Sequence, residues 1–498
     1  MKGCLLLQRR FAYVGHAVAR TLKERYGVSD FCGYVYLRSS YDFLQNQKDV
    51  NYSTLLLDEN VHEGYKQETI DHEYLAWLEQ EYGLPSLWSH LALDRVLMSS
   101  QLVREYPHDQ PMFSHEDMLR ILQAHARAII AMLDKERPDF LLCSVIGGVG
   151  SSLLYHICKK RGIKVFVIHN ACIRDRWLLS EAFDRFTGVE TSMRENRERL
   201  KVSPVWPEAV AYLEAFRKEP IPYFQSSTPD SQPVTRRRQL KFLNPRIALR
   251  SLGVWLNSVR EYFTGNDRND YSYIGPWNYL RDLVKRKTRN LIGIEGLYDT
   301  VDPKDDFAFF PLHYEPEVSL LLLAPYHTDQ LQLIKQIAKS LPVTYKLYVK
   351  EHPLMVEYRP RSFYRSLKKI PNVKLIRPTV KGFELTRLSK LVLTITGSTA
   401  WDAALLGKPV ISFGHWFYNA LSFVKYCAEI ERLPELVKQQ LENFQYDEQE
   451  LLTMIAAIFE ESATVDLYKS WTETSNQDQK KAELEPVADL LAKKLKLV

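Results

Sequence analysis

Short apolar runs alternate with segments of helical periodicity along most of the chain. In the N-terminal part, an apolar run at 5–7 precedes a helical pattern at 15–26 and an aromatic-rich apolar run at 31–37. A second unit follows, with a predicted helix at 114–137, strand at 139–145, glycine-rich turn at 147–150, helix at 151–161 and strand at 164–169. Strands that alternate with helices in this way predict a doubly wound, mostly parallel sheet.

The alternation returns after residue 306. The predicted elements there are strands at 307–311, 345–350, 373–376, 391–396 and 409–413, with helices at 328–340, 362–369, 382–389 and 399–406. Helical patterns at 448–497 predict a cap at the end of the chain. We therefore predict an α/β fold with two Rossmann-like domains, at 1–218 and 301–498, joined by a linker at 219–300.

The linker combines a polar stretch with a strongly basic one. Residues 220–235 are rich in Pro, Ser, Thr and Gln, whereas residues 236–289 hold 13 Lys and Arg against 4 Asp and Glu in a chain of net charge +5. A predicted helix in the basic part has Arg246, Arg250 and Arg260 on one face and an apolar opposite face, formed by Ile247, Ala248, Leu252, Trp255, Leu256, Val259 and Phe263. This pattern predicts peripheral contact with an anionic membrane. Because the rest of the chain has no basic excess, nucleic-acid binding is not predicted.

The composition favours a protein of a reducing compartment. The six cysteines are scattered, without the C-x-x-C spacing of zinc sites or a disulfide framework. The first apolar run is too short for a signal peptide, and no apolar stretch approaches the roughly 20 residues that cross a bilayer. We therefore predict a cytoplasmic protein, located at the inner face of the plasma membrane.

Three motifs at predicted strand ends carry candidate chemistry, and the first is Lys350-Glu351-His352-Pro353. It ends an apolar strand at the sheet edge where open α/β sheets bind ligands. Lys350 and His352 are suited to phosphate groups, and Pro353 ends the strand. A charged turn without a ligand fits the same residues.

The second motif turns through Gly397 from a predicted strand into a helix. The Ser398 and Thr399 hydroxyls, with the free amides of the first helical turn, form a candidate diphosphate site. A helix cap made by either hydroxyl is the alternative. Asp402 lies one turn into the helix, where its carboxylate can reach a ribose or sugar hydroxyl.

The third motif follows the predicted strand at 307–311 and contains His313, Glu315 and Glu317. A carboxylate at this edge can act as a general base or a nucleophile, although two prolines also fit a structural turn. In the N-terminal half, Gly148, His169 and Arg174 lie at strand ends or in glycine turns and are candidates for the facing side of a cleft. Ordinary surface residues have the same sequence pattern.

The order and spacing of these motifs resemble the capsule polysaccharide biosynthesis family. In that family a Gln-x-x-x-Asp motif precedes Lys-x-His-Pro, and a Ser/Thr-x-x-Gly-x-Glu-Ala-Leu-like segment follows. The matching residues here are His313-x-x-x-Glu317, Lys350-x-His352-Pro353 and the segment 398–405. The resemblance covers about a hundred residues, at 309–414, and departs from the family pattern at 313, 317, 400 and 402.

The resemblance implies a metal-independent GT-B glycosyltransferase without a cofactor, in which two Rossmann-like domains face each other across a cleft. Lys350, His352 and Ser398 would bind the phosphate of a nucleotide-sugar donor, CMP-linked and Kdo-like, and Glu317 would take the role of the catalytic carboxylate. The N-terminal domain would hold a glycan or lipid-linked acceptor. A CDP-polyol phosphotransferase of the teichoic-acid type, a sugar-nucleotide epimerase and an inactive nucleotide-sugar-binding scaffold stay open as alternatives.

Overall fold

The computed structural model describes the 498-residue chain apart from residues 9–10, 84–85, 101–109, 224–233, 266–267, 269, 357 and 468–476. Most of the polar linker stretch therefore lies outside the described residues. The strands of the described part are β1 (Lys2–Leu7), β2 (Asp30–Val35), β3 (Asn51–Leu57), β4 (Phe140–Cys143), β5 (Lys164–Asn170), β6 (Arg176–Ser180), β7 (Phe307–Pro311), β8 (Lys346–Lys350), β9 (Val373–Ile376), β10 (Leu391–Thr394), β11 (Val410–Ser412), β12 (Val424–Tyr426) and β13 (Ser462–Thr464).

Two sheets divide these strands between them. The first has the order β13-β6-β5-β4-β1-β2-β3, with β1 to β5 parallel and β6 and β13 antiparallel to their neighbours. The second has the order β12-β11-β10-β7-β8-β9, and all its pairings are parallel. In both, the strand order reverses beside the first strand, between β1 and β4 and between β7 and β10. Such reversals form the crevices in which open α/β sheets bind ligands.

Helices cover both faces of the sheets. In the first domain they are α1 (Phe11–Tyr26), α2 (Arg38–Gln45), α3 (Asp58–Glu63), α4 (His72–Tyr82), α5 (Trp88–Ala92), α6 (Arg95–Ser99), α7 (His115–Glu136), α8 (Val149–Lys160), α9 (Thr187–Glu195), α10 (Arg197–Lys201) and α11 (Val205–Lys218). Alternate β1 residues serve the two faces: Cys4 and Leu6 pack with α7 and α8, whereas Leu5 and Leu7 pack with α1. Because both faces of the strand are buried, its sequence is a continuous apolar run.

The linker and the second domain contain the remaining helices. These are α12 (Arg236–Gln239), α13 (Pro245–Thr264), α14 (Pro276–Ile292), α15 (Val318–Leu321), α16 (Gln330–Ser340), α17 (Arg361–Leu367), α18 (Gly382–Leu388), α19 (Thr399–Leu405), α20 (Leu433–Glu442), α21 (Glu448–Glu461) and α22 (Gln477–Leu495). The prediction of two Rossmann-like α/β domains is confirmed, and the predicted strands at 307–311 and 373–376 have the observed bounds. The domain limits at 218 and 300 stay predictions.

The end of the chain departs from the predicted cap of the second domain. After α21 the chain crosses back, β13 pairs with β6 of the first sheet, and α22 packs on α1. Leu484, Val487 and Leu491 bury the apolar face of α22 in the core of the first domain. Helical periodicity shows that one face of a helix is apolar but not which core that face covers. The sequence pattern therefore could not show whether the C-terminal helix packs on the first or the second domain.

The linker helix α13 also departs from its prediction in part. Trp255, assigned to the free apolar face, is half-buried and donates from Nε1 to the Pro276 carbonyl oxygen at 3.0 Å. Leu249, Leu252 and Leu256 are each at least half exposed. An apolar surface thus stays open on the outer side of the helix. Within the described part of the chain, no helix is both long enough and apolar enough to span a membrane.

Candidate functional site

The crevice of the second sheet lies between β7 and β10, and His313 joins the turns that follow these two strands. Its Nε2 accepts the Thr396 N–H at 3.3 Å and the Thr394 hydroxyl at 3.1 Å. Because Nε2 accepts, the proton of the neutral ring is on Nδ1. Burial, reinforced by the nearby Arg359 guanidinium, lowers the pKa of His313 to about 3. His313 is therefore neutral and holds the turn in place, whereas the sequence suggested a catalytic group.

Gly397 approaches the same imidazole closely. A methyl group on its Cα would lie 2.8 Å from Thr394 Oγ1 and 3.1 Å from His313 Nε2. The Gly397 N–H donates to Thr394 Oγ1 at 3.1 Å, which fixes the start of the turn. The turn therefore requires glycine because of its close contacts and not because of its dihedral angles.

A buried ion-pair network connects the turn after β7 with the turn after β8. Arg359, 2% exposed, donates to Glu315 Oε1 at 2.9 Å, to the His313 carbonyl oxygen at 2.7 Å and to Glu351. Gln330 Nε2 donates to the second Glu315 oxygen at 2.7 Å. Both carboxylates are thus engaged inside the domain. The structure places Glu315, predicted as a catalytic candidate, in this network and not at an accessible surface.

Lys350 ends β8 and brings an amine to the same edge of the sheet. Its side chain is 7% exposed, and among the described residues no carboxylate forms an ion pair with it. Burial lowers the pKa of Lys350 to about 8. The nearby Glu351 carboxylate, which already pairs with Arg359, opposes this decrease only in part, so the buried ammonium group favours an additional anionic ligand.

His352 lies beside Lys350 in the turn that begins with Glu351 and continues through Pro353. The Leu354 N–H donates to His352 Nδ1 at 3.2 Å, so the neutral ring carries its proton on Nε2. The ring also makes an edge-to-face contact with Tyr314, which follows β7, at 5.9 Å between centroids. Nε2 can therefore donate a hydrogen bond to a phosphate oxygen. The motif residues after β7, β8 and β10 come together at one edge, as the sequence predicted.

Ser398 and Thr399 stand at the beginning of α19. Both are half-buried, and the Ser398 side chain makes no capping hydrogen bond to the helix amides. The helix α19 has seven residues, at 399–405, against the predicted 399–406. The prediction that this turn binds phosphate depends on the two hydroxyl groups and on Lys350.

Asp402 lies in contact with the linker. It is 6% exposed, accepts the Tyr223 N–H at 3.4 Å, and has its pKa raised to about 7 by burial. The structure thus places Asp402 under the linker, apart from the residues that meet at the strand ends. A contact between Asp402 and a ribose or sugar hydroxyl would require movement of Tyr223.

Glu317 is accessible to solvent, in contrast to Glu315. It precedes α15, and the Ser319 hydroxyl donates to its Oε2 at 2.8 Å. The surrounding protein desolvates the carboxylate and raises the pKa of Glu317. Its neighbour Val318 meets the first domain, because a methyl group on Gly147 would lie 2.9 Å from Val318 Cγ2. Glu317 therefore stands where the carboxyl ends of the two sheets face each other.

The three residues predicted for the first domain lie in different surroundings. Gly148 precedes α8, and a methyl group there would lie 3.0 Å from both Asp94 Oδ2 and the Tyr36 hydroxyl. His169 donates from Nε2 to the Ala182 carbonyl oxygen at 3.0 Å, and burial lowers its pKa to about 4. Arg174 has a side chain that is 76% exposed and pairs with its neighbour in sequence at 3.3 Å. The structure does not bring Arg174 to the other candidates.

No local motif marks Arg359, or Asp94 of the first domain, whose buried carboxylate lies beside Gly148. A cavity of about 400 Å³ between α9, α21 and the turn after β11 was likewise not predicted. None of the sequence-predicted site residues lines this cavity, whose wall includes Arg185, Arg194, Arg197 and His415. The turn after β11 nevertheless contacts the turn after β10, since a methyl group on Gly414 would lie 2.4 Å from Thr396 Cγ2.

Residues 285–425 match the profile of a family described as capsule polysaccharide biosynthesis protein. The matched segment contains the turns after β7, β8 and β10. No curated protein sequence matches the chain.

Among solved structures, the chain is similar to KpsC of Thermosulfurimonas dismutans, described as a beta Kdo 2,7 transferase. The identity is 14%, over 81% of this chain and 97% of that chain, with a TM-score of 0.36. A second structure, of KpsC described as a beta Kdo 2,4 transferase from the same organism, is 13% identical over 70% of this chain and 88% of that chain, with a TM-score of 0.37. UDP-GlcNAc 2-epimerase of Neisseria meningitidis is 13% identical in sequence over 99% of this chain and 100% of that chain, with a TM-score of 0.28. Likenesses at this level carry no conclusion about activity.

Proposed function

We propose that the chain is a glycosyltransferase of the capsule polysaccharide biosynthesis family, whose profile matches residues 285–425. The donor is a nucleotide-activated sugar, and the acceptor is a growing surface polysaccharide or a lipid-linked glycan. The second domain holds the donor, and the first domain holds the acceptor. A CMP-linked, Kdo-like donor is the first choice because of the motif resemblance at 309–414.

The observation that carries the proposal is the environment of Lys350. Its amine is buried at the carboxyl end of β8 and lacks an ion pair among the described residues. His352 follows β8, whereas Ser398 and Thr399 follow β10 on the other side of β7, so cationic and hydrogen-bonding groups can bind a diphosphate that extends across these strand ends. Together they offset the charge that develops on a leaving phosphate. The proposed reaction requires neither a metal nor a cofactor.

Glu317 supplies the carboxylate of the proposed reaction. Its position between the two sheets brings it to both a donor on the second domain and an acceptor on the first. An ionised Glu317 can take the proton of the acceptor hydroxyl, or it can attack the anomeric carbon as a nucleophile. Its raised pKa strengthens it as a base.

Nucleotide binding tests the donor site. We expect CMP, or another of CDP, UDP and GDP, to stabilise the protein against thermal unfolding and to bind with measurable heat. Replacement Lys350→Met removes one charge-assisted interaction, which is worth about 1.5–3 kcal/mol, or roughly ten- to hundredfold in the dissociation constant. Lys346→Met is the matched control, because Lys346 stands at the opposite end of the same strand.

The outcomes separate the proposal from its alternatives. Loss of binding in Lys350→Met but not in Lys346→Met supports the donor site. No stabilisation by any of the four nucleotides would contradict it. Preference for CDP over CMP, with transfer of a phosphopolyol, would instead support the polyol phosphotransferase. Tight binding without turnover would support the scaffold.

We also propose that α13 holds the protein at an anionic membrane surface on the cytoplasmic side, where a lipid-linked acceptor is present. Leu249, Leu252 and Leu256 lie on the outer side of the helix, at least half exposed, and Arg250 and Arg260 lie on the same helix and are exposed. Apolar side chains beside arginines fit a lipid interface, where each basic residue contributes about 1 kcal/mol near anionic lipid.

Vesicle flotation tests the membrane contact. We expect the protein to float with vesicles that contain phosphatidylglycerol and not with pure phosphatidylcholine vesicles. The triple replacement Leu249→Ser, Leu252→Ser and Leu256→Ser should abolish flotation, whereas Leu388→Ser, at an exposed apolar residue of the second domain, should not. Flotation that is absent in the wild type, or unchanged in the triple variant, would refute the contact.

A further inference from the structure

A second polar crevice lies in the first domain, at the reversal between β1 and β4. Asp94, 3% exposed, caps α6 through hydrogen bonds from Val96 N–H and Leu97 N–H, and also accepts the Val149 N–H of the first turn of α8 at 3.3 Å. The glycine turn around Gly148 brings the backbone close to the Asp94 carboxylate. The crevice thus corresponds, in the first domain, to the position of the donor site in the second.

The side chain of Tyr271 fills this crevice. Its hydroxyl donates to Asp94 Oδ2 at 2.8 Å, and its ring stacks on His62, with centroids 4.0 Å apart and planes 13° apart. Tyr271 is buried in the core cluster of the first domain, whose other fully buried members all precede residue 168. The ring therefore occupies a site that the first domain builds from its own residues.

Tyr271 is nevertheless carried by the linker. It lies between α13 and α14, and α14 is attached to the second domain through Arg289, which donates to the Tyr358 carbonyl oxygen. At the end of α14, Arg361 Nη1 donates to the Gly293 carbonyl oxygen at 2.8 Å. One tyrosine thus extends from a segment attached to the second domain into the crevice of the first.

The contacts of Tyr271 are those that a sugar ring would make. A pyranose has a six-membered ring with an apolar face and hydroxyl donors at its rim, as the phenol ring has one face to stack and one hydroxyl to donate. The His62 ring is the flat surface on which a sugar face can stack, and the Asp94 carboxylate accepts a hydrogen bond from a hydroxyl group. His62 is 1% exposed, and among the described residues its Nδ1 has no hydrogen-bond partner, so one polar atom at the crevice is unsatisfied. An aromatic wall with a few polar groups is typical of small-ligand pockets.

We propose that the crevice formed by His62, Asp94 and the start of α8 is a subsite for a neutral pyranose ring of the acceptor glycan, which Tyr271 occupies in this conformation and vacates when the acceptor binds. The inference rests on the proposed glycosyltransferase function and adds the place and the chemistry of the acceptor subsite. It also gives the linker a role, since a sugar and Tyr271 compete for the same position.

Binding of simple glycosides to the full-length chain tests the subsite. The probes are methyl α-D-glucopyranoside, methyl β-D-galactopyranoside and methyl N-acetyl-β-D-glucosaminide, followed by ligand-observed NMR. We expect Tyr271→Ala to bind at least one of them at least tenfold more tightly than the wild type. Tyr273→Ala, two residues away in the same segment, should bind like the wild type. Addition of His62→Ala to Tyr271→Ala should remove the gain.

Two checks keep the result decisive. Phenol, which restores the ring and hydroxyl that Tyr271→Ala lacks, should raise the melting temperature of Tyr271→Ala and so show that the crevice is open. If Tyr271→Ala does not fold, Tyr271→Phe keeps the stacked ring but loses the bond to Asp94, and should bind a probe at least threefold more tightly than the wild type. An open crevice without any gain for the three glycosides overturns the proposal, as does an unchanged affinity in Tyr271→Phe. Nucleotide binding at Lys350 should be equal in the wild type and in these variants. Its absence from all of them, wild type included, would count against the donor site and not against this subsite.

Discussion

Replacement of Arg359 by methionine removes the centre of the buried network between the turns after β7 and β8. The guanidinium contacts Glu315, Glu351 and the His313 carbonyl oxygen, and the two carboxylates would be left buried without a cation. Breaking a buried pair in this way costs about 3–5 kcal/mol. For a domain of this size each kcal/mol lowers the melting temperature by about 2–4 °C, so we expect a decrease of roughly 6–20 °C.

Differential scanning calorimetry measures this decrease, and an exposed ion pair of the same domain supplies the control. Arg387 pairs with Glu384 three residues earlier at 2.8 Å, with both side chains about half exposed. Arg387→Met should lower the melting temperature by no more than about 4 °C, because exposed pairs contribute about 0–1 kcal/mol. The triple variant Arg359→Met, Glu315→Gln and Glu351→Gln should recover part of the loss, since it removes the unpaired charges together with the guanidinium.

A decrease for Arg359→Met no larger than that for Arg387→Met would show that the two buried carboxylates do not depend on the Arg359 guanidinium. It would mean that water or another cation satisfies the two carboxylates. A triple variant less stable than Arg359→Met would likewise show that the destabilisation does not arise from uncompensated carboxylates.

Two further predictions concern the donor site. Gly397→Ala should weaken nucleotide binding at least about tenfold, because the new methyl group displaces the His313 imidazole and the Thr394 hydroxyl. Gly382→Ala, with open space around its Cα, should bind nucleotide like the wild type. Calorimetric titration measures both affinities, and equal affinities would count against the tight turn. The affinity of wild type should fall as the pH rises through about 8, because burial lowers the pKa of Lys350 to about 8 and the neutral amine cannot pair with phosphate. Titrations between about pH 7 and pH 9.5 measure this fall; Lys350→Arg should abolish it, and the same fall in that variant would assign it to another group.

The periodicity of the chain was sufficient to predict the alternation of strands and helices, because strands buried on both faces form short apolar runs. Gly162, after α8, has a φ of +72°, a conformation that favours glycine at the end of a helix. The strand β3 was not predicted, because its residues are mostly half-buried at the edge of the sheet and do not form a clear apolar run. The return of α22 to the first domain depends on long-range packing, which local periodicity does not record.

The candidate site was predictable where chemistry and strand ends coincide. Lys350 and His352 follow one strand and Gly397 follows another, and parallel strands necessarily bring their carboxyl ends to one edge. The burial of Glu315, in contrast to the exposure of Glu317, was not predictable. It depends on Arg359, a residue 44 positions from Glu315 in sequence that no motif marks.

Turnover by wild type and by Glu317→Gln tests whether the protein transfers a sugar and whether Glu317 takes part in the reaction. The assay follows release of the nucleotide from a panel of nucleotide sugars that includes a CMP-linked one, with water as acceptor when no glycan is added. We expect release by the wild type, a decrease of kcat by about 10²–10⁴ in Glu317→Gln, and unchanged nucleotide affinity in that variant. Release that is equally fast in both proteins, or absent from the wild type with every sugar although its nucleotide binds, would contradict this expectation.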